Sequence, residues 1–408
     1  MPTELISSFS DAFSALIIFV AGLFIAKSVG KLLQTTTRRA VLLYVWHTIF
    51  CIVYARYVLV NGGDARGYYR AGLAGDVDFS LGTNAVNYLS SILVQGFHLS
   101  FFSTSLIFQL FGVIGLLAFD ASLRVATADK VKLIRWLATL IVFLPSVSFW
   151  SAALGKDALS FMATGFALWA ALNLRNRIPL LVVAVLIMLL VRPHMAGMMI
   201  LGLAGSFIFQ RKVPLTQRLL LGGVALAAAA VMVPFGLQYA GVGDENTEDL
   251  SSYIEERQQQ NVQGGTSIDL ASMSPPMQLF TYLFRPLPFE ASGIFGLAAS
   301  MDNMIMLFLF VVGGWRLIKG RNKNLVGNRI FLWIYAMVAW AALALTTANL
   351  GISMRQKWMI APILIFLLIS AMQTRRQTGR WAPRRGIIVQ HVTERITPPQ
   401  HRPPIVEP

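Results

Sequence analysis

Apolar residues in this chain gather into long runs separated by short polar connections, at roughly 9–26, 40–60, 98–119, 133–152, 158–173, 179–191, 195–209, 219–238, 292–315, 329–347 and 358–372. An α-helix needs about 20 consecutive apolar residues to cross a hydrocarbon core. The pattern therefore predicts an all-α, polytopic transmembrane bundle of about eleven spans. Two runs are short and flank Arg192-Pro193-His194. They read either as two tight spans or as a broken, partly re-entrant pair, because proline forbids one continuous helix there. Larger outer loops are expected at 61–97 and 239–291, and Glu248 to Gln260 suits a short surface helix. The domain reading is a membrane domain over 1–373, followed by an Arg/Pro-rich tail over 374–408 that lacks helical periodicity and is expected to be disordered. The opening Met-Pro-Thr-Glu lacks the basic flank of a secretory signal, so the first span is expected to stay as an anchor.

Composition agrees with the pattern. Hydrophobic residues make up 56% of the chain and charged ones 13%, with mean hydropathy +0.62, which excludes most soluble classes. The single cysteine, Cys51, excludes an intramolecular disulfide and any cysteine-based metal site. A net charge of +15 would suggest nucleic acid in a soluble protein, but its distribution gives another reading. Of the 34 basic residues, 25 fall on every second connection or in the tail, together with only four acidic residues. By the positive-inside rule those connections and the tail are cytoplasmic and the N-terminus is outside. The charge marks topology, and no nucleic-acid partner is expected.

The informative charges are those on the side the rule disfavours, where an ionisable group beside apolar sequence needs a partner, a water-filled cavity or a ligand. Asp64, Tyr68 and Tyr69 lie in Asn61-Gly-Gly-Asp-Ala-Arg-Gly-Tyr-Tyr-Arg70. A carboxylate beside aromatic platforms suits carbohydrate, although a plain turn with interfacial tyrosines would look the same. Lys156 and Asp157 follow a serine-rich stretch and open the next span. With Asp157 expected as the helix cap, this is a candidate phosphate or diphosphate site. Arg192 and His194 stand at the broken pair; Arg285 and Glu290 stand where the chain re-enters after the long loop; Arg355 and Lys357 lie between the last two spans. Arginine can clamp a phosphate with two N–H donors, and ordinary pairing with acidic residues is the competing explanation.

The segments Phe-Trp-Ser…Gly-Lys-Asp (149–157), Arg-Pro-His (192–194), Arg-Pro-x-Pro-[aromatic]-Glu (285–290) and Asn-Leu-Gly…Arg-Gln-Lys (349–357) resemble bacterial polysaccharide repeat-unit polymerases of the Wzy- or EpsG-like kind, with the logic of GT-C glycosyltransferases. The resemblance covers about residues 60 to 360 and departs at Leu287 and Phe289, where a more aromatic pattern is expected. A strict Asp-x-Asp metal motif is missing; Asp76-Val-Asp78 has its spacing in ordinary loop sequence. The resemblance implies a multi-pass protein of the bacterial inner membrane, acting in exopolysaccharide or O-antigen biosynthesis. Its donor would be a polyprenyl-diphosphate-linked oligosaccharide, its neighbours membrane lipid and other polysaccharide-assembly proteins. No cofactor and no metal are expected. Asp64 or Asp157 would be the catalytic carboxylate. Lys156, Arg192, His194, Arg285, Arg355, Lys357, Tyr68 and Tyr69 would bind substrate. An O-antigen ligase-type transferase, or a non-enzymatic glycan or lipid flippase or transporter, are the competing expectations.

Overall fold

A computed structural model describes residues 4–209, 268–319 except 271 and 292, and 327–372, with scattered positions between 214 and 227. The expected span at 219–238, the surface helix at Glu248 to Gln260 and the tail over 374–408 thus lie outside the described residues. Among those described, the chain is helical throughout, without a strand. In order come α1 (Phe9–Leu32), α2 (Thr37–Asn61), α3 (Asp64–Ala74), α4 (Thr83–Ser91) with a π-helical turn (Ile92–Gly96), α5 (Phe101–Thr127) and α6 (Lys132–Val142). Then follow α7 (Pro145–Ser151), α8 (Lys156–Ala171), α9 (Leu174–Val191), α10 (Pro193–Ile208), α11 (Pro275–Phe284), α12 (Gly293–Lys319), α13 (Arg329–Thr346), α14 (Leu350–Gln356), a 3-10 turn (Lys357–Met359) and α15 (Ala361–Ala371).

Seven helical segments among the described residues are long and apolar enough to cross a bilayer, and the pair Leu350–Met359 and Ala361–Ala371, bent by 62°, makes up to eight. The expectation was about eleven. Of the other three, the run at 219–238 lies outside the described residues, and α8 and α10 have 16 residues each, short of a full crossing. The run at 133–152 is one of the seven, although Leu144 before Pro145 takes an extended conformation and the proline then opens α7. The expected loop 61–97 carries α3, α4 and the π-helical turn. Gly62 and Gly63, at φ +80° and +133°, end α2 and turn the chain directly into α3, so Asp64 opens a helix instead of a hairpin-like turn.

Burial sorts the helices into a centre and a shell. α1 is apolar all round yet buries only Ala15, Ile18, Gly22, Ala26 and Gly30, a stripe at three- and four-residue spacing, leaving Phe13, Leu16, Val20 and Phe24 outward. A helix like that is at home in lipid, where small residues let the backbones approach. α5 is the opposite: 83% of its most apolar window is buried, and it packs on α1, α2, α6 and α8. Its closest partner is α8, where a Cβ added at Gly165 would stand 2.6 Å from the Gly115 carbonyl oxygen. Gly165→Ala gains about 1 kcal/mol of helix propensity but forces backbone apart at an overpacking cost of about 1–3 kcal/mol. We expect net destabilisation, read as a lower midpoint of thermal unfolding in detergent; an unchanged or raised midpoint would show that the α5–α8 contact yields.

The broken pair resolves into two helices that reverse at Arg192. Asn328, capping α13, donates its backbone N–H to Ala171 at the end of α8 (2.7 Å), which puts the start of α13 level with the α8–α9 turn. Gly202 of α10 lies against Phe331 and Tyr335, and Gly205 against Ile334, all in the first turns of α13. α10 therefore runs back toward the end from which α9 rises, and Arg192 and the start of α8 share the other end. Along α2, Arg39 and Asn61 are separated by 22 residues, roughly 33 Å of helix, so the two ends of the bundle stand about one hydrocarbon thickness apart.

Candidate functional site

At the Asn61 end, α3, α8, the α9–α10 break and α14 converge on a cavity of about 560 Å³, within the range of ligand sites, about 300–1,000 Å³. Its wall includes Asp64, Tyr68, Lys156, Asp157, Arg192 and Arg355. Six of the ten residues singled out from the sequence, from four separate segments, thus line one recess.

Asp157 is the hub. Arg192 Nη2 donates to its Oδ1 at 2.7 Å, and Arg355 Nε lies 3.1 Å from its Oδ2. Arg192 also donates from Nε to the Ser160 hydroxyl at 3.2 Å. Arg355 reaches on through Nη1 to Asp64 Oδ2 at 2.6 Å. The two carboxylates differ sharply: the Asp157 side chain is 13% exposed and Asp64 55%. Asp157 was expected to cap α8, but Gly155 holds the cap position without a side-chain bond, and Asp157 turns its carboxylate to the arginines. The guanidiniums outcompete the helix end because a charge-assisted pair is worth about twice a neutral hydrogen bond.

Lys156 carries the uncommitted charge. It lines the cavity, and its side chain makes no hydrogen bond or ion pair with any described residue. At this mouth, burial pushes its pKa down to about 8; Arg192 and Arg355 push the same way, while Asp157 and Asp64 oppose them. The three cations exceed the two carboxylates by one positive charge, so the recess favours an anion. Gly155, at φ +154°, places the start of α8 directly on the Tyr68 ring, which an added Cβ would meet at 3.0 Å. Burial, reinforced by Asp64 and Asp157, holds the Tyr68 phenol protonated well above its ordinary range.

The other four expected site residues lie elsewhere. Tyr69 packs edge-on against Phe101, with ring centroids 5.5 Å apart, and lines a separate cavity with Asp11 and His98. His194 lies in the first turn of α10, half-buried and off the cavity wall. Arg285 is engaged by Glu290, which accepts from its Nε at 3.0 Å and from the Leu287 backbone N–H at 3.0 Å, closing the Arg-Pro turn on itself. Desolvation raises the Glu290 pKa, but the bonds from Arg285 and Leu287 outweigh it and hold it below the ordinary range. Lys357 is buried and donates to Asn303 Oδ1 at 2.5 Å, while Asn303 donates to the Pro286 carbonyl at 3.0 Å. Lys357 and the Arg285 turn are thus linked through α12, and they brace the segment that carries Arg355. Asp76 and Asp78 lie in the α3–α4 connection, off the cavity wall.

Sequence reading missed several groups. Tyr54, Thr83, Asn87 and Gln356 also line the cavity; Ser160 stands three residues after Asp157, so helical spacing alone could have placed it beside the site. Below the site a polar chain crosses the apolar interior: His47 Nδ1 meets Gln109 Oε1 at 2.8 Å, His47 Nε2 meets the Ser151 hydroxyl at 2.9 Å, and Gln109 donates to Thr48 at 3.2 Å. Asp302, which accepts from the Ser146 hydroxyl, is also buried and within electrostatic reach of Lys357. Ionisable residues inside apolar runs were the available signal, and both His47 and Asp302 carry it.

Compared with known proteins, the chain matches no family model, no curated protein and no solved structure.

Proposed function

We propose that the cavity binds the diphosphate of a polyprenyl-linked oligosaccharide and transfers the glycan to the end of a growing chain, as a repeat-unit polymerase of the bacterial inner membrane. The observation that carries this reading is the convergence of Arg192, Arg355 and Lys156, from three segments, on one recess at the end of a membrane bundle, beside an accessible carboxylate. A membrane-embedded donor would reach the recess laterally, and its diphosphate is the anion that the surplus charge and the arginine N–H donors fit. Positive charge is dense at the Arg39 end of α2, so the positive-inside rule turns the cavity outward.

The acceptor hydroxyl oxygen attacks the anomeric carbon, the carbon–oxygen bond to the diphosphate breaks, and the lipid diphosphate leaves with the electron pair. Arg192, Arg355 and Lys156 stabilise the charge that grows on the leaving oxygen, the contribution that usually dominates such catalysis. Asp64, with one arginine contact and an exposed carboxylate, takes the acceptor's proton; Asp157, with an oxygen on each arginine, positions them. Tyr68, Asn87 and Thr83 supply an aromatic face and polar groups for the sugars.

Lys156 makes this reading pH-dependent. Its folded-state pKa of about 8 lies below the ordinary lysine value, so it is charged below pH 8 and loses its charge as pH rises through that value. We expect kcat/KM of transfer to fall above about pH 8, and Lys156→Arg to hold activity to higher pH. An identical alkaline limb in Lys156→Arg would remove the lysine from substrate binding.

A second reading, translocation of the lipid-linked glycan, is favoured by the buried Gln109–His47–Ser151 chain. A gap of about 10 Å³ between Ser151 and the Asp157–Arg355 pair is about the size of one water, and would extend that chain to the cavity as a path for protons. Transport without bond cleavage, abolished by His47→Ala, supports this reading over transfer.

A further inference from the structure

At the end of α2 away from the cavity, a second polar recess of about 290 Å³ opens between α2, α5 and α6. Three arginines, Arg39, Arg124 and Arg135, line it with one carboxylate, Asp120. Asp120 is buried and fully taken up: Arg39 donates to Oδ1 from Nη2 at 2.6 Å and from Nε at 2.9 Å, and Arg124 Nε donates to Oδ2 at 3.1 Å. Arg124 spends its remaining donors on the turn after α1, reaching the Gln34 carbonyl at 2.8 Å, the Leu33 carbonyl at 3.1 Å and the Thr35 hydroxyl at 2.6 Å. These bonds account for Arg124 and for most of Arg39 as struts between helices.

They do not account for Arg135. It is exposed, and its side chain makes no hydrogen bond or ion pair with any described residue. The recess therefore holds two positive charges more than its carboxylate neutralises, with the Arg135 donors and the outer edge of Arg39 facing into it. α6 walls the recess with Arg135, Ala138 and Thr139. Its other side presents Leu133, Trp136 and Leu140 at 78%, 65% and 54% exposure, an apolar stripe suited to lipid.

A basic recess between membrane helices at a bilayer face, walled by a helix whose other side meets lipid, matches the anionic head of a membrane lipid. We infer that this recess holds the phosphate of an anionic phospholipid. Arg135 and Arg39 donate to the phosphate oxygens, beside Thr139, whose hydroxyl accepts from Arg39 Nη2 at 3.4 Å. The inference is independent of the glycan reading, because the recess lies at the other end of α2.

The test is thermal unfolding of the detergent-purified full chain with three additives: phosphatidylglycerol, phosphatidylcholine of the same acyl length, and inorganic phosphate. Phosphatidylglycerol raises the unfolding midpoint of the unsubstituted protein; phosphatidylcholine and millimolar phosphate leave it unchanged. Arg135→Ala, at an exposed position without bonds to lose, keeps its own midpoint but needs about tenfold more phosphatidylglycerol for the same shift, from the loss of one charge-assisted contact. Arg135→Glu abolishes the shift. An equal response in Arg135→Ala and the unsubstituted chain overturns the site. A shift of the same size with inorganic phosphate alone overturns the lipid as its ligand.

Discussion

Replacing either cavity arginine by alanine should abolish glycan transfer while leaving a folded protein. The expected loss is about 10²–10³-fold in turnover for each, the range seen when one preorganised donor to a developing anion is removed. Folding survives because Asp157 keeps a partner either way: Arg355 remains near Oδ2 when Arg192 is gone, and Arg192 remains on Oδ1 when Arg355 is gone. Lysine is a poor substitute at either place. Arg192 serves Asp157 and Ser160 with two different nitrogens, and Arg355 serves Asp64 and Asp157 at once. An ammonium offers a point charge in place of that fork, so Arg192→Lys and Arg355→Lys should restore less than a tenth of activity. Turnover of lipid-linked oligosaccharide measured beside expression and unfolding midpoint separates catalysis from folding. Full activity in either alanine variant would remove that arginine from the reaction.

The second large effect separates the two carboxylates. Asp157→Ala should destabilise the protein by about 3–5 kcal/mol, because it leaves the buried Arg192 guanidinium without a counter-charge and Arg355 with Asp64 alone. Asp64→Ala should leave stability within about 1 kcal/mol, since its pair is largely solvated. Activity reverses the order of interest: with folding intact, Asp64→Ala should lower turnover by about 10²-fold, the scale of lost general-base assistance. Thermal unfolding and turnover on the same preparations check both. A stable Asp157→Ala protein would show that the arginines do not depend on it; an unimpaired Asp64→Ala would move the proton elsewhere.

Much of this was legible in the chain. Apolar runs located the long helices, because burial in lipid demands uninterrupted hydrophobic length, whatever the tertiary packing. Charges on the disfavoured side located Asp64, Lys156, Asp157, Arg192 and Arg355, because a charge at a helix end beside apolar sequence needs a partner. What the chain did not show was partnership. Nothing local pairs Asp64 with Arg355, 291 residues away, or distinguishes Arg355 in the cavity from Lys357, two residues later and buried against Asn303. On a short helix two positions turn a side chain by about 200°, and only packing decides which of the two faces the recess. Tyr68 and Tyr69 divide in the same way, on α3. Arg285 kept its charge at home because Glu290, five residues on, could reach it across a tight turn. Asp157 was misplaced as a helix cap because the arginines that claim it come from distant segments.

The central claim is that the recess at the start of α8 acts on a diphosphate-linked glycan. Its most direct test is a proteoliposome assay with the purified full chain and a polyprenyl-diphosphate oligosaccharide, following both glycan length and free polyprenyl diphosphate. The account predicts longer glycan with matching release of lipid diphosphate from the unsubstituted protein, and neither product from Arg192→Ala or Arg355→Ala. Intact donor recovered on the opposite leaflet with no lipid diphosphate released would contradict it.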